Sequence, residues 1–239
     1  MKIALFTSGH VRTLFYGFHE NISLIKERVP GCEVDVFYSF WDDYSRSNKI
    51  NDAWHYKAEY EHPEISVDSI NLYLINNGVS KVDGEIESSD AMKSIMSGSP
   101  FVQPHVSSQY YKKNRVVEKY YDGSYDFYVQ IRSDIMIGDF PTRENIDDII
   151  DSDHIVVNEN YWYKEPYIGR DCNEMIICSG KSIFKQVNQL HLHEEKLSKQ
   201  IPTTHHHGEM VTGTYLNNML SSGIIDTVLS FDFDYRVVR

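Results

Sequence analysis

The sequence predicts an α/β protein with a mostly parallel sheet flanked by helices. Two stretches predict it. Strand-like Lys2–Thr7, a helical stretch after Thr13 and strand-like Glu33–Phe40 follow one another closely enough to form a βαβ unit. Further on, a long helical stretch leads through Asp122-Gly123 into the apolar run Tyr125–Ile131, which ends on Arg132-Ser133-Asp134. Ligands of open α/β sheets sit beyond the carboxyl ends of the strands. A charged triplet straight after an apolar run is therefore a candidate site.

The elements follow in order. Residues 2–7 read as a buried strand that runs into a small cationic turn, Ser8-Gly9-His10-Val11-Arg12. Thr13 is a suitable N-cap, and Phe15, Phe18, Ile22 and Ile25 recur at helical spacing until Pro30-Gly31 stops the helix. After the second strand, Trp41-Asp42-Asp43 opens a long polar loop to about His62-Pro63. Ser66 begins a helix with Val67, Ile70, Leu72, Leu74 and Ile75, ending at Asn77-Gly78. A short strand is expected at Val79–Ile86 and a helical turn or two at Asp90–Met96. After the break Ser97-Gly98-Ser99-Pro100 comes a strong helix over Val106–Tyr121. In the second half a short helix is expected at Asn145–Ile150, a strand at His154–Val157 and an aromatic loop at Asn158–Arg170. Then come a buried strand at Met175–Cys178, a helix over Lys181–Leu197, a loop at Pro202–His207, a helix over Glu209–Leu220 and a strand at Ile224–Leu229.

A chain of 239 residues suits one large domain. No apolar run is long enough to span a bilayer. The N-terminal apolar run is cut off by Thr7-Ser8-Gly9-His10, unlike a secretory signal, so a cytoplasmic location in a bacterial or host cell is expected. The net charge of −12 disfavours nonspecific binding to nucleic acid or anionic membrane, though a local cationic pocket can still take an anionic small molecule. Cys32, Cys172 and Cys178 are too few and too irregularly spaced for a disulfide scaffold or a zinc ribbon, and read as small buried thiols. The 17 tyrosines, with Trp41, Trp54 and Trp162 in polar stretches, suit the apolar faces of sugars and bases, or a tyrosine-rich core and rim.

Asp134 leads the candidates. A carboxylate at a strand end can hold Mg²⁺ or Mn²⁺, which favour oxygen ligands. The competing reading is an ion pair with Arg132, which shares its face if the strand persists. In the first turn, Gly9 permits close backbone approach and Arg12 can grip phosphate bidentately, although an ordinary strand-to-helix turn has the same form. Neither GxGxxG nor GxxxxGK[ST] is present. Lys112, Lys113, Asn114 and Arg115 have a solvated face as their default, with one or two free to turn toward a ligand. His205-His206-His207 cannot all reach one ion, and His191-Leu192-His193 reads as a solvated helix face; a single histidine of the run could complete a metal shell. Asp171, Glu174 and Glu209 are candidate general bases, Glu209 doubling as a first-turn acid that complements the helix dipole.

On these residues the chain resembles a family of small GT-A-type glycosyltransferases of bacteria and large DNA viruses. The matching segments, in order, are Ile3 to Thr13, Asp35-Val36-Phe37 with Trp41-Asp42, the lysine-bearing helix, Tyr125 to Asp134, Asp171 to Ser179, and Glu209 with its helix. The resemblance implies a GT-A-like (Rossmann-like) mixed, mostly parallel sheet flanked by helices, in a single catalytic domain over 1–239. Residues 1–138 would form the half that binds the nucleotide-sugar, and 139–239 the acceptor side. It further implies donor contacts from Thr7, Ser8, Gly9, Arg12 and Lys113, and Asp134 as the last position of a metal-binding DxD, with Mn²⁺ or Mg²⁺. Arg132 stands where the first Asp of that motif is usual, which weakens the metal site and offers a guanidinium for the diphosphate instead. Asp171 or Glu209 would deprotonate the glycan acceptor in an inverting enzyme; a retaining enzyme needs no such base. Two alternatives compete: a metal-independent, fucosyltransferase-like enzyme, and a noncatalytic sugar- or nucleotide-binding module.

Overall fold

A computed structural model of the chain describes residues 1–43, 63–150, 154–158, 163–165, 169–171 and 176–238, the stretches 163–165 and 169–171 as backbone only. Among these residues the fold is α/β: a seven-stranded, mostly parallel mixed sheet flanked by eight α-helices, consistent with a Rossmann-like fold.

The first half follows the predicted pattern. Strand β1 (Lys2–His10), helix α1 (Leu14–Arg28) and strand β2 (Glu33–Trp41) form the βαβ unit, with parallel pairing from Lys2–Glu33 to His10–Trp41. Helix α2 (Val67–Asn76) leads to β3 (Lys81–Glu87), parallel to β2. Helices α3 (Ser89–Ser97) and α4 (His105–Tyr120) return the chain to β4 (Phe127–Arg132), parallel to β1 on its other side.

Side chains alternate across β1. Ile3 and Leu5 join Phe18, Ile22 and Ile25 of α1 in one core, while Ala4 and Phe6 meet Val116 and Val117 of α4 in another. Full burial of a side chain such as Ile22 contributes about 1.5–3 kcal/mol.

Beyond β4 the plan changes. A two-residue strand, β5 (Ile135–Met136), precedes α5 (Arg143–Ile150) and β6 (His154–Asn158). The backbones of β7 (Tyr163–Glu165) and β8 (Gly169–Asp171) pair antiparallel within the stretch expected to be an aromatic loop. Then come β9 (Ile176–Gly180), α6 (Lys181–Val187), α7 (Glu194–Gln200), α8 (Gly208–Ser221), β10 (Thr227–Phe231) and β11 (Arg236–Val237). The main sheet has the order β3-β2-β1-β4-β9-β6-β10. Among its described strands β9 alone is reversed, running antiparallel to both β4 and β6, while β6 and β10 are parallel. β11 pairs antiparallel with β5, placing the C-terminal stretch beside the end of β4.

Several sequence expectations are corrected. β1 extends to His10, because Ser8, Gly9 and His10 still pair with Ser39, Phe40 and Trp41. The turn is thus confined to Val11–Thr13. Thr13 occupies the N-cap position of α1, but its hydroxyl donates to the Val238 carbonyl at 2.7 Å instead of capping. On α2 only Ile70 and Leu74 are buried, while Val67, Leu72 and Ile75 are exposed. The helix expected over Lys181–Leu197 is broken: α6 ends at Val187, and a 3₁₀ turn at Leu190–His193 precedes α7. Of the cysteines, Cys178 is buried, where desolvation pushes its thiol pKa up, and Cys32 is half-buried. Trp54, Trp162, Cys172, Glu174 and most of the loop at 41–62 lie outside the described residues. No helix among the described residues is long and apolar enough to cross a membrane.

Candidate functional site

The carboxyl ends of β1 and β4 and the first turns of α4 enclose a cleft. It is lined by Ser8, Gly9, His10, Arg12, Trp41, His105, Ser108, Gln109, Arg132, Ser133 and Asp134. The parallel pairing of β1 with β4 sets Ser8 opposite Arg132. That register brings together two segments far apart in sequence.

Two backbone features shape the rim. Gly9 has φ of +107°, where L side chains rarely go, although a Cβ there would meet nothing within 4 Å. Conformation, and not space, is what calls for glycine. Arg12 itself sits at φ +45°. A non-glycine residue in this region costs about 1–3 kcal/mol and persists only where its surroundings hold it.

Asp134 is what holds it. Its side chain is fully buried and takes two guanidiniums. Arg12 Nη1 donates to Oδ2 at 2.6 Å, while Arg132 donates through Nε to Oδ1 at 3.0 Å and through Nη2 to Oδ2 at 2.7 Å. The strand does not persist through this pair. β4 ends at Arg132, and the Ser133–Asp134 turn folds the carboxylate back onto the guanidinium. The two arginine side chains keep 25% and 13% exposure, so both reach the cleft. Two guanidinium groups therefore line one end of the cleft and share a single buried carboxylate, within a chain of charge −12. That is an anion-binding arrangement.

A divalent cation does not fit Asp134 in this arrangement. Both carboxylate oxygens already accept guanidinium N–H groups, and the two positive charges repel an incoming ion. No group of three or more potential metal-ligating side chains occurs among the described residues.

Glu209 lies close enough to this cluster for the charge of Arg132 to act on it. It sits in the first turn of α8, and His207 Nδ1 is 3.0 Å from its Oε2. The His207 hydrogen bond holds the Glu209 carboxyl below the ordinary carboxylate range, against the opposing effect of burial, and Arg132 adds to the lowering. The α8 start is pinned to α4: Tyr110 Oη donates to the Gly208 carbonyl at 2.6 Å and shares a 2.7 Å hydrogen bond with Thr212 Oγ1. Asp171 closes β8, whose backbone packs against α8, the helix that carries Glu209. Its side chain is outside the described residues.

The other expected residues divide. Ser8, Gly9, Arg12, Arg132 and Asp134 share the cleft. Thr7 lies beneath it, fully buried, with no partner for its hydroxyl among the described residues. Gln130 Nε2 reaches Ser8 Oγ at 3.4 Å, while Gln130 Oε1 and Asn114 Oδ1 are buried without described partners. Lys113 is buried with its ammonium over the Tyr110 ring, 5.5 Å from the centroid, and does not line the cleft.

Lys112 is not on a solvated face either. It is fully buried, with Nζ donating to Glu87 Oε2 at 2.7 Å, to the Phe40 carbonyl at 2.9 Å and to Ser39 Oγ at 3.2 Å. It also lies 4.1 Å from the Trp41 ring centroid. Burial pushes its pKa down, and Glu87 opposes this. Lys112 thus fastens the end of β2 to α4 and backs the Trp41 wall.

The histidine run has separate duties. His206 is buried and takes the Val102 N–H on Nδ1, with Nε2 near the Ser198 and Ile201 carbonyls, so it is a packing residue and not a metal ligand. Leu192 and His193 are exposed, as a solvated face requires, with the His193 ring stacked on Tyr215, while half-buried His191 pairs with Glu194 at 2.7 Å.

Sequence reading missed His105, Ser108 and Gln109. Their i, i+3, i+4 spacing at the start of a long helix was the available signal. No family model matches the chain, and a search of curated proteins finds no similar sequence.

Proposed function

We propose that the protein is a glycosyltransferase that moves a sugar from a nucleotide-diphosphate donor to a glycan acceptor. The observation that carries the reading is the pair Arg12 and Arg132, held by buried Asp134 at the carboxyl ends of adjacent parallel strands. That is where α/β sheets bind ligands, and a guanidinium pair is suited to a diphosphate. The mixed, mostly parallel sheet agrees with the GT-A-like architecture that the sequence resemblance implies.

Breaking the sugar–phosphate bond puts negative charge on the leaving diphosphate. Arg12 and Arg132 face that charge, in a cleft whose donors are fixed before the substrate arrives. The residues thus favour the metal-independent form of the reaction. In an inverting enzyme the Glu209 carboxylate, kept ionised by His207, accepts the proton of the acceptor hydroxyl.

The test is release of nucleoside diphosphate from a panel of UDP-, GDP-, CDP-, ADP- and dTDP-sugars, with and without glycan acceptors. One base class should support turnover, and Glu209→Gln should lower it by about 10²-fold or more. Absence of turnover together with absence of nucleotide binding would overturn the reading.

A further inference from the structure

His10 ends β1, and its ring lines the same cleft as Arg12 and Arg132. Its Nδ1 meets Oδ1 of Asp43, two residues beyond the end of β2. An ionised carboxylate only accepts hydrogen bonds, so Nδ1 carries hydrogen. Nδ1 therefore keeps its hydrogen in either charge state of the ring, and Nε2 is the ring atom that can gain or give up a proton. Both partners are also fastened through the backbone. Val11 N–H donates to the Asp43 carbonyl at 3.4 Å, and Ser133 Oγ donates to the His10 carbonyl at 2.5 Å. The ring is only 16% exposed. A carboxylate-oriented imidazole beside two guanidiniums is more than a wall of the cleft needs.

We propose that His10, oriented by Asp43, is a further catalytic residue that faces the leaving diphosphate and protonates it through Nε2. The proposal rests on the glycosyltransferase reading above. As the bond from the anomeric carbon to the phosphate oxygen breaks, its electron pair stays on that oxygen. Imidazolium His10 passes its Nε2 proton there and becomes neutral. The acceptor oxygen bonds to the carbon, and its hydroxyl proton goes to the Glu209 carboxylate. After the products leave, Glu209 loses a proton to water and His10 regains one, so the cycle balances. The charged and titratable groups sharing the cleft with His10 are Arg12 after β1, Arg132 and Asp134 after β4, and His105 on α4, with Asp43 behind its ring.

The test uses the full chain and inorganic pyrophosphate as probe. The ring Cε1 resonance of His10, assigned with His10→Gln, is followed by NMR during the titration, and binding is measured by calorimetry. The His10 signal should shift in step with binding. In transfer assays His10→Gln should lower kcat by about 10²-fold or more with a smaller change in KM, and Asp43→Asn should lower kcat less. Pyrophosphate binding that depends on Arg132 but leaves the His10 resonance unmoved would overturn this proposal and spare the diphosphate site. No pyrophosphate binding by the unmutated protein would overturn both. The NMR readout needs no variant to carry the conclusion, so a misfolded His10→Gln would not rescue the proposal.

Discussion

Asp134 and Glu85 each gather two cations, and the difference lies in how far those cations are taken out of water. Asp134 is fully buried between Arg12 and Arg132, whose side chains are mostly covered. Glu85 lies on the edge strand β3 and pairs with Arg115 and Lys119, which are 45% and 46% exposed. The edge cluster trades its charges with water and salt, and such pairs contribute little. The buried one cannot. There the carboxylate has to compensate two guanidiniums taken largely out of water, and it in turn fixes where they point. The same ingredients thus make a surface staple in one place and an ordered cationic site in the other.

Asp134→Ala should break that contrast most severely. It strands two partly buried charges, and a loss of about 3–5 kcal/mol in urea unfolding is expected. A loss below about 1 kcal/mol would mean that water already pays for those charges. Gly9→Ala comes next, at about 1–3 kcal/mol, because alanine has to adopt φ near +107° with no clash to blame. A neutral result would show that the end of β1 relaxes freely.

How much of this was legible in the sequence depends on range. β1, β2, β4 and α4 showed in apolar runs and helical spacing, since those signals are local. Arg12 and Asp134 were visible as candidates, but their ion pair spans 122 positions and depends on β1 and β4 being neighbours. Lys112 was expected in solvent because lysine is seldom fully buried unless paired, and its partner Glu87 lies on β3, outside its own helix. The break between α6 and α7 carries no proline or glycine, so local chemistry did not mark it. Reversal of β9 was equally hidden, because an apolar run does not state its direction.

Two smaller effects sharpen the comparison. Arg132→Lys keeps the charge but loses the fork that grips Asp134 through two nitrogens. It should weaken nucleoside diphosphate binding by about 10-fold, or 1.4 kcal/mol, in calorimetry. Equal affinity would make the site a simple charge sink. Glu85→Gln should cost less than about 1 kcal/mol, shrinking further in high salt. Burial pushes the Glu85 carboxyl up, but hydrogen bonds from Arg115, Lys119 and Ser39 prevail and bring it to about 2. A lowered folded pKa stabilises above the ordinary value of 4.5 and fades as pH falls toward 2, so the variant should lose that part of the acid dependence of stability. An unchanged acid limb would remove Glu85 from the account.

The most direct measurement is calorimetry of UDP, GDP, CDP, ADP and dTDP against the unmutated protein and Arg132→Gln, each with Mn²⁺ and with EDTA. The account predicts that one nucleotide binds, that EDTA leaves its affinity intact, and that Arg132→Gln abolishes it. Binding that requires Mn²⁺, or that survives Arg132→Gln unchanged, would contradict the arginine-held diphosphate site.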